Sequence, residues 1–286
     1  MSAYLGAILW MAGATCSFAA MAVAGREIAV ELDTFELMLY RSVIGVGIVL
    51  GLGALGGQLG TIRGDRMRLH LLRNVGHFTG QNLWFYAIAT IPLAQVVALE
   101  FTTPLWVALA APLLLGERMT GLRAVAVVLG FVGVLVVARP EALAGDPGVV
   151  AAALCAVGFA ISYIATKSLS RTESVTCILF WLAAMQAVFS LVCAGADLDI
   201  AWPSRAMWPL IGVVATCGLG AHYCITRALK LAPASVVAPM DFVRLPLVAL
   251  IGFLLYSEPF ALAILAGGAL ILAGNALNIR ESARGR

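Results

Sequence analysis

Charge is scarce in this chain. Asp, Glu, Lys and Arg together make up 12% of its residues, while hydrophobic residues make up 62% and the mean hydropathy is +0.99. A soluble domain carries about 25% charge and about 45–50% apolar residues. The excess is too large for a water-soluble core and excludes an ordinary globular protein. Long polar segments are missing too, which leaves no room for a second, soluble domain. No Lys/Arg tract or aromatic–basic patch is present, so nucleic acid is not an expected partner. The sequence also lacks G-x-x-x-x-G-K-[ST], H-E-x-x-H and G-x-S-x-G. Without a nucleotide-binding domain, any energy input is left to an ion gradient, to exchange, or to the solute's own gradient. None of the six cysteines forms a C-x-x-C pair. They read as small apolar side chains rather than disulfides or metal ligands, and neither a metal site nor a cofactor is expected.

What the chain has in quantity is apolar runs. Ten of them, bounded by charge, Pro or Gly, fall near 4–24, 34–56, 70–90, 93–115, 120–138, 147–167, 175–195, 208–230, 234–256 and 260–279. Each suits a membrane-spanning helix and is too long for a barrel strand. The first run has no basic segment before it and is expected to stay as a span rather than be cleaved as a signal. Of the 18 basic residues, thirteen fall on one side of the membrane, three on the other, and two, Arg41 and Arg244, within spans. The positive-inside rule therefore predicts both termini in the cytoplasm. The resulting expectation is an all-α polytopic membrane protein with ten transmembrane helices.

An internal repeat recurs at an offset near 140 residues. Ala94-Gln95-Val96-Val97-Ala98 matches Ala234-Ser235-Val236-Val237-Ala238. One residue further on, Gly116-Glu117 falls on Ser257-Glu258, Phe18-Ala19 on Phe159-Ala160, and Arg26 on Lys167. Each half, 1–140 and 141–286, would hold five spans. Five is odd, so the halves enter the membrane from opposite sides, as two inverted five-helix repeats.

The repeat aligns two unusual stretches. Span four carries Glu100 and Pro104; span nine carries Asp241, Arg244 and Pro246. Paired interrupted helices with charges at membrane depth are the sequence signature of a secondary transporter's site. At this point the chain resembles a known family. The run Ala111-Pro112-Leu113-Leu114-Leu115-Gly116-Glu117-Arg118-Met119-Thr120, followed by Gly130-Phe131-Val132-Gly133, looks like the EamA repeat of the drug/metabolite transporter superfamily. A second copy is Gly252-Phe253-Leu254-Leu255-Tyr256-Ser257-Glu258-Pro259, followed by Gly267-Gly268 and Gly274. It departs from the pattern in having Ser before the acid and Pro after it. The resemblance implies ten helices, cytoplasmic termini, a central cavity and alternating access. Members carry amino acids, aromatic metabolites, vitamins such as riboflavin, nucleotide-like cofactors or metallophores.

Several side chains are candidates for the site. Glu100 lies about seven residues, or roughly 10 Å, below the outer surface, and Arg41 lies at a similar depth, so the two are expected to form a buried ion pair. It would be either a lock that substrate or proton opens or a permanent structural bridge. Asp241 and Arg244, at i and i+3, form either a local pair or an inner counterpart of that lock. In span three, Asn74, His77, Gln81 and Trp84 share one face. This stripe either lines a cavity or glues helices together. His222 with Tyr223 mirrors it in span eight, although a lone His is more often a packing residue than a proton carrier. Spans three, four, eight and nine are thus expected to wall the cavity. The predicted binding residues are Glu100, Arg41, His77, Gln81, Trp84, Asp241 and Arg244.

The function these features point to is a secondary transporter of the inner (plasma) membrane. It would move a small polar or aromatic metabolite by alternating access, in the direction of export, with proton or exchange coupling. The alternatives are an importer of a cofactor such as riboflavin or S-adenosylmethionine, or a lipid-linked flippase of the same fold. An intramembrane enzyme would need a nucleophile facing His77 or His222, and no motif supplies one.

Overall fold

The computed structural model describes residues 3–114, 120–138, 145–169, 171–196, 198–231, 240–258 and 261–284. Eleven α-helices run through them: α1 (Ala3–Ile28), α2 (Thr34–Leu55), α3 (Met67–Thr90), α4 (Leu93–Glu100), α5 (Thr103–Leu114), α6 (Gly121–Ala138), α7 (Pro147–Leu169), α8 (Val175–Ala194), α9 (Met207–Leu231), α10 (Arg244–Tyr256) and α11 (Leu262–Arg284). No strand occurs among the described residues. Helices α4 and α5 are two segments of the fourth span. A short 3₁₀ turn, Asp241–Val243, leads into α10 in the ninth. Among the described residues, five helices are each long and apolar enough to cross a membrane unaided. The protein is an all-α, polytopic membrane protein of ten spans in two inverted five-helix repeats.

Local sequence sets the helix ends. Asp33 and Glu36 form a reciprocal capping box at the start of α2, with N···O distances of 2.8 and 3.0 Å. Ser174 caps α8 by accepting from the Cys177 amide at 3.0 Å. The break between α4 and α5 is stabilised in the same manner. Pro104 has no N–H to give, but α5 begins at Thr103, so the proline sits in a first turn where no donor is needed. The Thr103 hydroxyl donates to the Glu100 carbonyl (2.7 Å), and the Thr102 hydroxyl to that of Leu99 (2.7 Å). Asn275 of α11 donates to the Phe101 carbonyl at 2.7 Å. In the second half Pro246 likewise falls in the first turn of α10, directly after the 3₁₀ turn that carries Asp241.

The largest interfaces all join one half to the other: α3 on α7, α1 on α9, α6 on α11 and α2 on α8. The third helix of each half packs on the first helix of the other, while second pairs with second and fifth with fifth. This is the pattern of a two-fold relation between the repeats. Glycines bring these helices into backbone contact. A Cβ on Gly158 would stand 2.7 Å from the Gly76 carbonyl and 2.8 Å from the Gly80 amide, and one on Gly133 would stand 2.6 Å from the Gly267 carbonyl. The Glu117–Arg118 turn and the 234–238 copy of the repeat lie outside the described residues.

Candidate functional site

The centre of the bundle holds two polar constellations separated by aromatic rings. The first surrounds Glu100 at the C-terminal end of α4. Arg244 donates to its carboxylate at 2.9 and 3.4 Å and to Asp241 at 3.1 Å. The indole N–H of Trp84 donates to Glu100 at 2.9 Å. The guanidinium lies 4.8 Å from the Phe18 ring centre and 4.9 Å from that of Phe101. Two carboxylates and one guanidinium give the cluster a net charge of −1 when all three are ionised. One oxygen of Asp241 and the Nε of Arg244 are buried with no hydrogen-bond partner.

The second constellation lines a small cavity of about 40 Å³ bounded by α1, α2, α3, α8 and α9. Arg41 donates from Nη2 to the Gln186 Oε1 at 2.7 Å, and its Nε lies 3.0 Å from the Met38 sulfur. The Gln186 amide nitrogen lies 2.7 Å from Nδ1 of His77. The His77 ring in turn faces those of His222 (6.0 Å between centres) and Phe159 (5.8 Å). Gln81 and Ser42 complete the polar lining. The volume is far below the roughly 300–1,000 Å³ of a metabolite pocket.

Phe18 belongs to both constellations: it lines the cavity, meets His222 edge-on at 6.2 Å and lies against Arg244. A second aromatic path runs from Arg41 over Phe85 (5.8 Å), through the Phe85–Trp84 contact (5.3 Å), to Glu100.

This geometry corrects four expectations. Glu100 pairs with Arg244 and not with Arg41, because depth along a helix fixes only the axial coordinate. Helix α2 packs on α8, while α4 meets α10, and the aromatic wall lies between. Asp241 and Arg244 are therefore not a separate inner lock; they belong to the Glu100 cluster. Among the described residues, none of spans four and nine lines the cavity, whereas spans one, two and seven do so beside three and eight. Trp84 holds Glu100 instead of facing the cavity. Of the predicted residues, Arg41, His77 and Gln81 come together in the cavity, and Glu100, Trp84, Asp241 and Arg244 in the cluster. Sequence reasoning missed Gln186 and Phe18 and set His222 aside. Gln186 was detectable as the lone amide within an apolar run, and His222 through the repeat that aligns Gly220 with Gly80.

Two further groupings lie away from the centre. Arg26, at the end of α1, binds Glu258, the carbonyl of Ile88 and that of Ile91. Glu258 also accepts from the Leu93 amide at 3.0 Å, and Tyr256 donates to Glu27 at 2.8 Å. This clamp ties α1, the α3–α4 turn and the end of α10 together on one face. Near the opposite ends of α3 and α8, ligand atoms of His70, Glu173 and Cys177 lie within 4.8 Å of one another, a donor set that could hold a metal ion.

With the two-fold bundle and its central cavity described, sequence relatives give the assignment. The profile of the EamA-like transporter family matches twice, over residues 5–139 and 146–280. The chain belongs to the EamA-like transporter family. It is thus a multi-pass membrane transporter of small molecules. An S-adenosylmethionine uptake transporter of Rickettsia felis is 26% identical over 260 residues, 90% of this chain and 87% of that protein. A riboflavin transporter of Rhizobium johnstonii is 31% identical over 215 residues, 75% of this chain and 71% of its own length. A pseudopaline exporter of Pseudomonas aeruginosa is 28% identical over 261 residues, 91% and 90% of the two chains. A crystal structure with 20% sequence identity shares the fold at a TM-score of 0.66, covering 97% of this chain and 98% of that one.

Proposed function

We propose that this EamA-family member is a secondary transporter that moves a small polar or aromatic metabolite by alternating access. The observation that carries this reading is the small polar cavity where the two inverted repeats cross. It is lined by Arg41, His77, Gln81, Gln186 and His222 in a bundle otherwise built from apolar helices. The two repeats, 1–140 and 141–286, would rock about this cavity and expose it to either side in turn. The Arg26–Glu258 clamp closes the outer face in this conformation. Both termini would lie in the cytoplasm, in the inner membrane of a bacterial-type cell.

The Glu100–Arg244–Asp241 cluster supports proton coupling. Its net charge of −1 at membrane depth is expensive, and one proton neutralises it. We read the direction as export, in keeping with the pseudopaline exporter among the relatives. The uptake transporter for S-adenosylmethionine favours a second reading, import of a cofactor-like solute. The test is flux of a metabolite panel into proteoliposomes with and without a pH gradient. Flux that responds to the gradient in the wild type and loses that response in Glu100→Gln and Asp241→Asn supports the reading. Gradient-independent flux unchanged in both variants removes proton coupling, and no flux of any solute removes the transporter reading.

A further inference from the structure

The cavity contains a guanidinium without an anion. Several arginines of this chain make polar contacts inside the bundle or at its rim, and Arg73, outside the cavity, is held by the neutral oxygens of Thr166 and Asn74. Arg244 has two carboxylates and Arg26 has one. Arg41 touches the Met38 thioether, the Gln186 amide oxygen and the Phe85 ring, and no carboxylate pairs with it among the described residues. A partly buried cation with only neutral partners is costly at membrane depth. Such a charge is kept where a ligand supplies the missing counter-ion.

The groups around Arg41 are arranged to donate. A guanidinium has only donors, so Gln186 must turn its oxygen to Arg41 and its NH₂ to His77. That NH₂ donates to Nδ1 of His77, which places the proton of the neutral imidazole on Nε2. The relay thus presents a second N–H in the cavity wall. Nη1 of Arg41 runs past Gly218, where an added Cβ would stand 3.4 Å away. The cavity wall includes a guanidinium, two imidazoles, two amides and a hydroxyl, and no carboxylate among the described residues. Glu100 and Asp241 lie in the other constellation, across Phe18.

We infer that Arg41, with Gln186, His77 and His222, is the receptor for a carboxylate on the transported solute. The planar fork of a guanidinium fits a carboxylate with two parallel hydrogen bonds. A carboxylate would cancel the one uncompensated charge of the cavity. The volume of about 40 Å³ suits such a group and not a whole metabolite, so the rest of the solute is accommodated when one side opens. The inference rests on the transporter reading above and adds the solute class: a carboxylic acid or a zwitterion bound through its acid end. Glu100, already held by Arg244 and Trp84, is not the solute's principal contact.

The experiment compares wild type with Arg41→Gln and Arg41→Lys. Flux in proteoliposomes is measured for amino acids and aromatic acids, each paired with its carboxamide, and for phosphate monoesters of similar size. Thermal unfolding is followed in detergent. The expected result is transport of acids in preference to amides and phosphate esters. Arg41→Gln should lose apparent affinity for acids by about 10- to 100-fold, and Arg41→Lys by less. Arg41→Gln should also unfold at the wild-type temperature or above it, since it deletes an uncompensated charge. Equal transport of acids and amides, insensitive to Arg41→Gln, overturns the inference and leaves the transporter reading standing. Preference for phosphate esters overturns the carboxylate assignment. A clear drop in the unfolding temperature of Arg41→Gln makes Arg41 structural and also overturns it. Absence of flux for every solute overturns the transporter reading and this inference with it.

Discussion

Arg244 shows how much one guanidinium can hold together. Two carboxylates lie in reach of its nitrogens and two phenyl rings cover its faces, with its side chain only 4% exposed. Replacing it by Gln would leave Glu100 and Asp241 as two buried carboxylates with no cation between them. The expected cost is about 3–5 kcal/mol, read as a large fall in the thermal unfolding temperature in detergent. Restoring neutrality with Glu100→Gln in the same chain should recover part of the loss. At this scale the sequence was partly legible. Glu100, Asp241, Arg41 and Arg244 stand out because each is a charge within an apolar run. Their pairing did not follow, because counting residues from a loop gives depth and says nothing of the angle around the bundle. Arg41 and Glu100 share a depth, yet Phe18 and the Phe85–Trp84 pair stand between them.

Helix breaks and helix crossings are the next scale. Both halves place a proline in the first turn after a break, and both put their intramembrane acids at that break. The proline spacing was visible in the sequence, whereas the hydroxyl caps from Thr102 and Thr103 were not, since Ser and Thr serve many roles in apolar helices. The other element-level feature is the end of α10. Ser257 adopts φ 52° and ψ 31°, the left-handed conformation that glycine accepts most readily. The first repeat has Gly116 at the aligned position. Ser257→Gly should therefore stabilise the protein by about 0.5–1 kcal/mol, measured as a rise in unfolding temperature. The α3–α7 crossing predicts the opposite sign. A methyl group at Gly158 would meet the backbone of Gly76 and Gly80, and backbone cannot rotate away. Gly158→Ala should cost about 1–3 kcal/mol, by the same measurement, and should weaken the α3 wall of the cavity with it.

Across the whole molecule, the ten spans and the inverted repeat were the most legible features, because the membrane imposes length and apolarity on every span. The Arg26–Glu258 clamp could also have been foreseen. The repeat alignment set Arg26 on Lys167 and Glu117 on Glu258, a cation closing each half's first helix and an acid closing its fourth. The clamp carries a prediction of its own. Glu258→Gln keeps the shape and removes the charge that holds Arg26. With the six native cysteines replaced by alanine and a probe thiol placed at the buried cavity residue Ser42, a membrane-impermeant reagent added on the clamp's side should label the variant several-fold faster than the parent. An unchanged rate would mean that the clamp does not gate the cavity. The cross-half pairing of helices has one more consequence, for the order in which the chain is made. Arg73 of α3 bonds Thr166, Asn74 bonds the Trp181 carbonyl, and His77 meets Gln186. Every one of these partners belongs to the second half, and the nearest is 93 residues downstream. At about 5–20 residues per second of synthesis, α3 waits for roughly 5–20 seconds with Arg73 and Asn74 able to bond only each other and with His77 lacking Gln186. A helix in that condition cannot rest among lipid tails. It must be sheltered at the insertion machinery until α7 and α8 arrive, so the nascent first half is a client of the cell's membrane-insertion apparatus before it is half of a transporter.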